Sequence, residues 1–168
     1  ELKNLLILEI TLDLLTIEDV DTSYNSLRNY MKAEGLDLLK PTATQVCRCV
    51  CELRNKILPD PKKIPNVGSF FKNSVISKDD YTKLTEIIDI PCHEDEQGML
   101  KISSAFLIEQ AGWKGFIDGN VSVSDKHSLV FLSNGKATGS EILTLAKKIN
   151  DDVLEKFGIN LSIEPSII

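Results

Sequence analysis

The sequence has few of the features that mark membrane or nucleic-acid-binding proteins. Of its 168 residues, 19 are lysine or arginine and 25 are aspartate or glutamate, so the formal net charge is -6. An acidic chain repels the phosphates of nucleic acids and anionic lipids, which argues against DNA, RNA or a membrane surface as the main partner. No apolar run has membrane-spanning length, and no segment has the layout of a secretion signal. We therefore expect a cytoplasmic protein.

The sequence also has little that could hold a metal ion. Its two histidines, His93 and His127, are far apart and have few potential ligands beside them. Cys47, Cys49 and Cys51 lie two residues apart in a segment predicted to be helical, where such residues point to different faces. Zinc sites commonly place about two to four residues between paired cysteines. We therefore predict ordinary core and surface cysteines and no metal site.

What the chain does contain is an ordinary globular composition, with 42% apolar and 26% charged residues. Strands are predicted where apolar residues alternate or form short runs, over 6–14, 121–123, 129–132 and 159–168. Helices are predicted where apolar residues recur every three or four positions, over 23–34 and 101–110 and after Thr42, Ser77 and Thr138. This mixed order is typical of an α+β fold.

One stretch, residues 54–73, differs in charge from the rest of the chain. It holds five basic residues, one acidic residue and three prolines, and its Gly68 precedes Ser69. A local positive excess on a stiff loop favours a small anionic ligand. A serine beside cations is a candidate for hydrogen-bond or proton chemistry. Taken alone, a serine after glycine is more often a turn or cap residue.

Several blocks of the second half of the chain resemble a known enzyme family. They are Leu-Pro-Asp-Pro at 58–61, Gly-Ser-Phe-Phe-Lys-Asn at 68–73, the segments 101–115 and 128–138, and Glu-Lys-Phe-Gly at 155–158 followed by Leu161 and Glu164. In this order they are similar to the signature of the UDP-N-acetylenolpyruvoylglucosamine reductases (UDP-N-acetylmuramate dehydrogenases). The match runs from Arg54 onward and continues more weakly over residues 6–24.

The resemblance implies a domain organisation. The family enzyme has three domains, of which the first two hold FAD and the third closes over the substrate. Residues 1–57 would be the end of the FAD-binding domain, 58–158 the compact substrate-binding domain, and 159–168 a strand that returns to the flavin domains. The chain begins with Glu1 rather than methionine. We therefore expect the C-terminal half of the enzyme, inactive alone, with most cofactor-binding residues in the other half.

The resemblance also implies a reaction. NADPH reduces FAD, and hydride then passes to the β-carbon of the enolpyruvyl group of UDP-N-acetylglucosamine enolpyruvate. The product is UDP-N-acetylmuramate, for peptidoglycan synthesis. Ser69 occupies the family's position for the donor of a proton to the α-carbon, and Glu164 the position of the second catalytic group, at the substrate carboxylate. The flavin carries the redox chemistry, and the protein supplies position and protons.

The same resemblance assigns substrate-binding residues. Two lysines would face the pyrophosphate, one asparagine a substrate amide, one tyrosine the substrate site and one histidine the nucleotide. These residues are Lys101 and Lys114, Asn73, Tyr24 and His127.

Three positions depart from the family pattern. The family has lysine directly before Leu-Pro-Asp, where this chain has Ile57, with Lys56 one position earlier as the candidate phosphate contact. Ser74 stands where the family has proline, and His93 where it has tyrosine.

A second reading of the chain is a non-catalytic module that binds UDP-sugars without flavin. The predicted strand over 6–14 distinguishes the two readings, because an unpaired strand edge in a free-standing module invites aggregation. The strand therefore favours the enzyme.

Overall fold

The computed structural model describes residues 7–13 and 20–167. The chain divides into two compact units, Glu1–Leu53 and Arg54–Ile168. The boundary after residue 57 stays a prediction, because a compact unit is not by itself a cofactor-binding or substrate-binding domain. Within these described residues, no helix is long and apolar enough to cross a membrane.

The first unit contains helix α1 (Asn25–Ala33) and the start of helix α2 (Ala43–Ile57). Its small core joins Leu27 and Met31 of α1 to Cys49 of α2. The predicted helices are confirmed. Their apolar faces bury these residues because positions three and four apart share one side of a helix.

The start of α2 has the reciprocal cap that the sequence predicts. The N–H of Thr42 donates to Gln45 Oε1 at 2.8 Å, and the N–H of Gln45 donates to Thr42 Oγ1 at 3.2 Å. The helical spacing of apolar residues after Thr42 also predicts Val50 and Ile57 on the inward face of α2, and this is wrong, because each is 37% exposed. The inward position is that of Cys49, one residue earlier than Val50.

Residues 7–13 do not form the predicted strand. They have no regular secondary structure, and Ile7, Leu8, Ile10 and Leu12 are between 70% and 87% exposed. The reason is that a strand needs a neighbour to pair its backbone groups, and sequence alternation does not provide one. The predicted strand also included residues 6 and 14, which lie outside the described residues.

The second unit is an α+β domain, which confirms the predicted fold class. It contains two antiparallel sheets, and three helices lie between or after their strands in the chain. In chain order the elements are β1 (Asn66–Ser69), β2 (Ser74–Ile76), α3 (Lys78–Thr85), β3 (Cys92–Glu94), β4 (Leu100–Ile102), α4 (Ser104–Gln110), β5 (Ile117–Asp118), β6 (Val121–Val123), β7 (Val130–Ser133) and α5 (Gly139–Phe157).

The two sheets have simple strand orders. The larger is β1-β7-β6-β5 and the smaller is β2-β4-β3. Every described pair is antiparallel. Strands β1 and β2 belong to different sheets, and only residues 70–73 separate them.

Three phenylalanines form the centre of the core. Phe70 stacks on Phe131 with ring centroids 4.8 Å apart, and Phe71 meets Phe131 edge-on at 5.9 Å. The buried face of α5 packs into the same cluster, through Leu145, Ala146, Ile149, Val153 and Phe157. Because Phe70 and Phe71 directly follow Ser69, the core fixes the backbone on which that serine stands.

Helix α5 begins after Thr138, as predicted. The N–H of Thr138 donates to Glu141 Oε2 at 2.7 Å, and the N–H of Glu141 donates to Thr138 Oγ1 at 3.3 Å. Gly158 follows the last turn with φ of 69°, the left-handed conformation that glycine adopts without a Cβ clash.

The predicted helix over 101–110 begins too early. Residues Leu100–Ile102 form β4, and α4 starts at Ser104, with Ser103 Oγ accepting from the N–H of Phe106 at 3.2 Å. Leu100 and Ile102 are buried whereas Lys101 between them is exposed. That alternation is a strand pattern, but three residues are too few to separate it from a helical period.

The tail forms less than the predicted strand. Within residues 159–167 the regular pairing is one antiparallel bridge, between Phe71 and Ile163. The N–H of Lys72 donates to the carbonyl of Ser162, and the N–H of Glu164 to that of Phe70, each at 2.9 Å. The partner of this segment is therefore the 70–72 backbone of the same unit. Residue 168 lies outside the described residues.

Candidate functional site

A pocket of about 520 Å³ in the second unit brings together five of the predicted site residues. They are Ser69, Asn73, Lys101, His127 and Glu164. The rest of its lining comes from Phe71, Lys72, Val75 and Leu129.

Ser69 lies at the end of β1 with an exposed side chain. The strand register shifts between Asn66 and Ser69, and Gly68 has φ of 66°. Such an irregularity redirects a side chain out of the regular alternation. In the described part of the chain the Ser69 hydroxyl has no hydrogen-bond partner, so it can donate to a bound molecule.

Ser69 also lines a second pocket, of about 500 Å³. That pocket is formed by the same unit and includes Arg54, Asn55, Leu58 and Asp60. Ser69 is therefore a lining residue common to two cavities.

Glu164 reaches the pocket through backbone pairing of the tail. Its N–H donates to the carbonyl of Phe70, the residue after Ser69. The bridge between Phe71 and Ile163 holds the two segments together. The carboxylate of Glu164 is exposed at the pocket wall. Two groups far apart in sequence thus share one cavity.

Lys101 is placed by the smaller sheet. In register, it lies between Val75 of β2 and His93 of β3. Since Leu100 and Ile102 are buried on the opposite face, the Lys101 side chain points to the pocket side, together with Val75. His93 is exposed and is not part of the pocket lining.

Asn73 is held by a residue that the sequence analysis missed. The N–H of Ser104 donates to Asn73 Oδ1 at 3.3 Å. Ser104 is fully buried, and its hydroxyl donates to the carbonyl of Lys72 at 2.8 Å. The one sequence signal for Ser104 is that it follows another serine. Ser103 alone caps α4, so the helix start does not account for the second serine.

His127 presents a neutral imidazole to the pocket. Burial lowers the pKa of His127, a hydrogen bond with its own backbone partly opposes this, and the positive charge of Lys114 adds to the lowering. Its Nδ1 accepts from the N–H of Leu129 at 3.3 Å. The ring hydrogen of the neutral form therefore sits on Nε2, which makes His127 a donor to ligand oxygen atoms.

Three predicted residues lie outside the pocket lining. Lys114 forms an ion pair with Glu109 at 2.9 Å, and only its charge reaches His127. Tyr24 belongs to the first unit, where it directly precedes α1 and is 71% exposed. Lys56 is exposed in the last turn of α2.

The loop beside His127 supplies a stability prediction. Ser128 is 1% exposed, and its Oγ is buried without a hydrogen-bond partner among the described residues. An unsatisfied buried hydroxyl costs about 1–3 kcal/mol. We expect Ser128→Ala to leave the free energy of unfolding unchanged or to raise it by about 1 kcal/mol, measured by urea denaturation.

Ser124 provides the matched control. It is also buried, but its Oγ accepts from the N–H of Lys126 at 3.1 Å. Ser124→Ala should lower the free energy of unfolding by about 0.5–1.5 kcal/mol. An equal loss in both variants would show that the Ser128 hydroxyl has a partner.

Among residues 7–13 and 20–167, no group of three or more histidine, cysteine, aspartate or glutamate side chains could hold a metal ion. Cys47 and Cys51, four residues apart, are on the exposed side of α2 and Cys49 is on its buried side, so the three thiols do not converge.

Comparison with known proteins gives a consistent match. The family model described as UDP-N-acetylenolpyruvoylglucosamine reductase, C-terminal domain, matches residues 60–168. Two proteins named UDP-N-acetylenolpyruvoylglucosamine reductase are similar to this chain over 96% of its length and 48% of their own. The one from Pseudomonas syringae pv. syringae is 36% identical to this chain, and the one from Pseudomonas aeruginosa is 37% identical. The one from Chromobacterium violaceum is 37% identical, over 89% of this chain and 44% of its own. The chain thus spans about half the length of the curated relatives it matches.

Proposed function

Because the chain belongs to the UDP-N-acetylenolpyruvoylglucosamine reductase family, we propose that it is the substrate-binding half of such an enzyme. The full enzyme reduces UDP-N-acetylglucosamine enolpyruvate to UDP-N-acetylmuramate in the cytoplasm, for peptidoglycan synthesis. The chain covers about half of its relatives' length, so turnover requires the remainder.

One observation carries the proposal. A single pocket gathers a hydroxyl, a carboxylate, a cation, an amide and an imidazole. These groups belong to Ser69, Glu164, Lys101, Asn73 and His127. Lys101 suits a pyrophosphate because an ammonium group forms charge-assisted hydrogen bonds with phosphate oxygens. The neutral imidazole and the amide offer further donors to oxygen atoms of a nucleotide sugar.

Ser69 is the proposed proton donor to the α-carbon of the enolpyruvyl group. A serine hydroxyl is a weak acid, but it is adequate for a strongly basic carbanionic centre held within hydrogen-bond reach. The exposed hydroxyl, without a partner in the described part of the protein, fits this role. Glu164 would act at the substrate carboxylate, either as a neutral acid or through a bridging water, because two bare carboxylates repel each other.

FAD, reduced by NADPH, would supply the hydride when bound. The second pocket, of about 500 Å³, shares Ser69 with the substrate pocket. Glycine-rich segments of the kind that hold FAD in the family are not found in this chain. We therefore propose that this chain offers a wall beside the flavin and that the rest of the enzyme holds it.

The rival proposal is a UDP-sugar-binding module without flavin. Residues 7–13 do not form the strand that argued against it, and residues 54–168 have a core of their own. Both proposals require the pocket to bind a UDP-sugar, and only the first requires Ser69 to transfer a proton. Binding is therefore the first property to test, and proton transfer separates the two.

Lys101 gives the binding test. Titration calorimetry of the chain with UDP-N-acetylglucosamine enolpyruvate should show binding, and Lys101→Ala should weaken it by about 10-fold to 100-fold, the value of a charge-assisted hydrogen bond. Lys147→Ala, on the exposed side of α5, removes the same charge outside the pocket lining and should bind as the parent does. Absence of binding by the parent chain, or equal losses in both variants, would contradict the proposed site.

A further inference from the structure

Ser104 forms a complete set of hydrogen bonds with a segment more than 25 residues earlier in the chain. Its hydroxyl donates to the carbonyl of Lys72 at 2.8 Å. It accepts from the N–H of Ser74 at 3.1 Å and lies 3.0 Å from Ser74 Oγ. Because its one hydrogen goes to Lys72, the Ser74 hydroxyl is the donor in the last bond. One donor and two acceptor positions are the full capacity of a hydroxyl group.

The backbone of Ser104 binds the residue between these two. Its N–H is one of the free donors at the start of α4, and it donates to Asn73 Oδ1 at 3.3 Å. That bond assigns the oxygen and the nitrogen of the Asn73 side-chain amide, because only the oxygen can accept from an N–H. The Nδ2 group of Asn73 is therefore the end left for the pocket that Asn73 shares with Ser69 and Lys101.

Ser104 is not needed as the cap of α4. Ser103 is the N-cap residue, and its Oγ accepts from the N–H of Phe106 at 3.2 Å. The buried Ser104 hydroxyl instead makes all of its bonds to Lys72 and Ser74. Its effect is to hold three consecutive residues, 72–74, at the turn between β1 and β2.

We propose that Ser104 is a positioning residue for the substrate pocket. It fixes residues 72–74 so that Asn73 presents Nδ2 as a donor to an oxygen atom of the bound nucleotide sugar. This inference rests on the proposed function for the identity of the ligand. The contacts of Ser104 with residues 72–74 do not depend on that identity.

A double-mutant cycle tests the link between Ser104 and Asn73. The binding of UDP-N-acetylglucosamine enolpyruvate is measured by calorimetry for Ser104→Ala, Asn73→Ala and the double variant. We expect each single change to weaken binding by about tenfold. The double variant should bind no more weakly than Asn73→Ala, because the Ser104 hydroxyl, through Lys72 and Ser74, would affect binding only by placing Asn73. Additive losses would overturn the inference.

Ser103→Ala is the structural control. It removes the cap of α4, so the urea midpoint should fall while the dissociation constant stays unchanged. If Ser103→Ala weakens binding as much as Ser104→Ala does, general loosening of α4 explains the effect, and the positioning role is overturned.

A spectroscopic measurement covers the case in which Ser104→Ala does not fold. The side-chain amide resonance of Asn73 is identified as the one lost in Asn73→Asp. Ser74→Ala, which removes one partner of the Ser104 hydroxyl, should shift that resonance without ligand. No shift would overturn the inference. Because this experiment uses no ligand, its result is independent of whether the parent chain binds the UDP-sugar.

Discussion

Ser69→Ala should slow the reoxidation of reduced flavin by UDP-N-acetylglucosamine enolpyruvate by about 10²–10⁴-fold, the range typical of a lost general acid. Reduction of the flavin by NADPH should keep its rate. The substitution belongs in the full-length enzyme of which we propose this chain to be the C-terminal half. The two rates separate because the hydroxyl at the pocket wall is needed only when the substrate α-carbon takes a proton. Stopped-flow absorbance measures each half-reaction.

Two further variants sharpen that test. Ser69→Cys keeps a proton donor, and a thiol is a stronger acid than a hydroxyl, so its reoxidation should be faster than that of Ser69→Ala. Ser140→Ala, in the exposed first turn of α5, should leave both half-reactions unchanged. If Ser69→Ala slows both half-reactions equally, Ser69 does not act as the proton donor.

Phe131→Ala should cause the largest loss of stability among single substitutions in the second unit, about 3–5 kcal/mol. Phe131 is 1% exposed and touches both Phe70 and Phe71. The change removes a buried ring and two aromatic pairs, and each such pair adds about 0.5–1.5 kcal/mol. Because whole domains have about 5–15 kcal/mol of stability, the urea midpoint should fall sharply.

Phe116 is the matched control for that prediction. It is 42% exposed and meets Trp113 edge-on, with ring centroids 4.7 Å apart. Phe116→Ala should therefore cost far less than Phe131→Ala, since its ring is already partly in water. Phe131→Leu, which keeps apolar volume, should fall between the two. Equal midpoints for Phe116→Ala and Phe131→Ala would mean that the three-ring cluster does not hold the core together.

Elements with local signals were predictable. The caps at Thr42 and Thr138 were found because both partners of each bond lie within three residues. Strands β1 to β5 were missed or misassigned, because each has only two to four residues and gains its bonds from a partner strand. Such pairing is invisible to a local pattern.

The site was predictable only in part for the same reason. Local charge and spacing drew attention to Ser69, whereas Glu164 and Lys101 were named by resemblance alone. What brings Glu164 to Ser69 is backbone pairing between the tail and residues 70–72. Ser104 was not predicted at all, since its hydroxyl bonds residues 30 and 32 positions away.

The pairing of the tail with residues 70–72 also sets an order of events during translation. The segment that carries Ser69 and Asn73 leaves the ribosome before β7, and β7 before Ser162. Until Ser162 and Glu164 are made, the N–H of Lys72 lacks its acceptor and the pocket lacks its carboxylate. The pocket is therefore a late product of synthesis, and a nascent chain that ends before residue 162 cannot yet hold it.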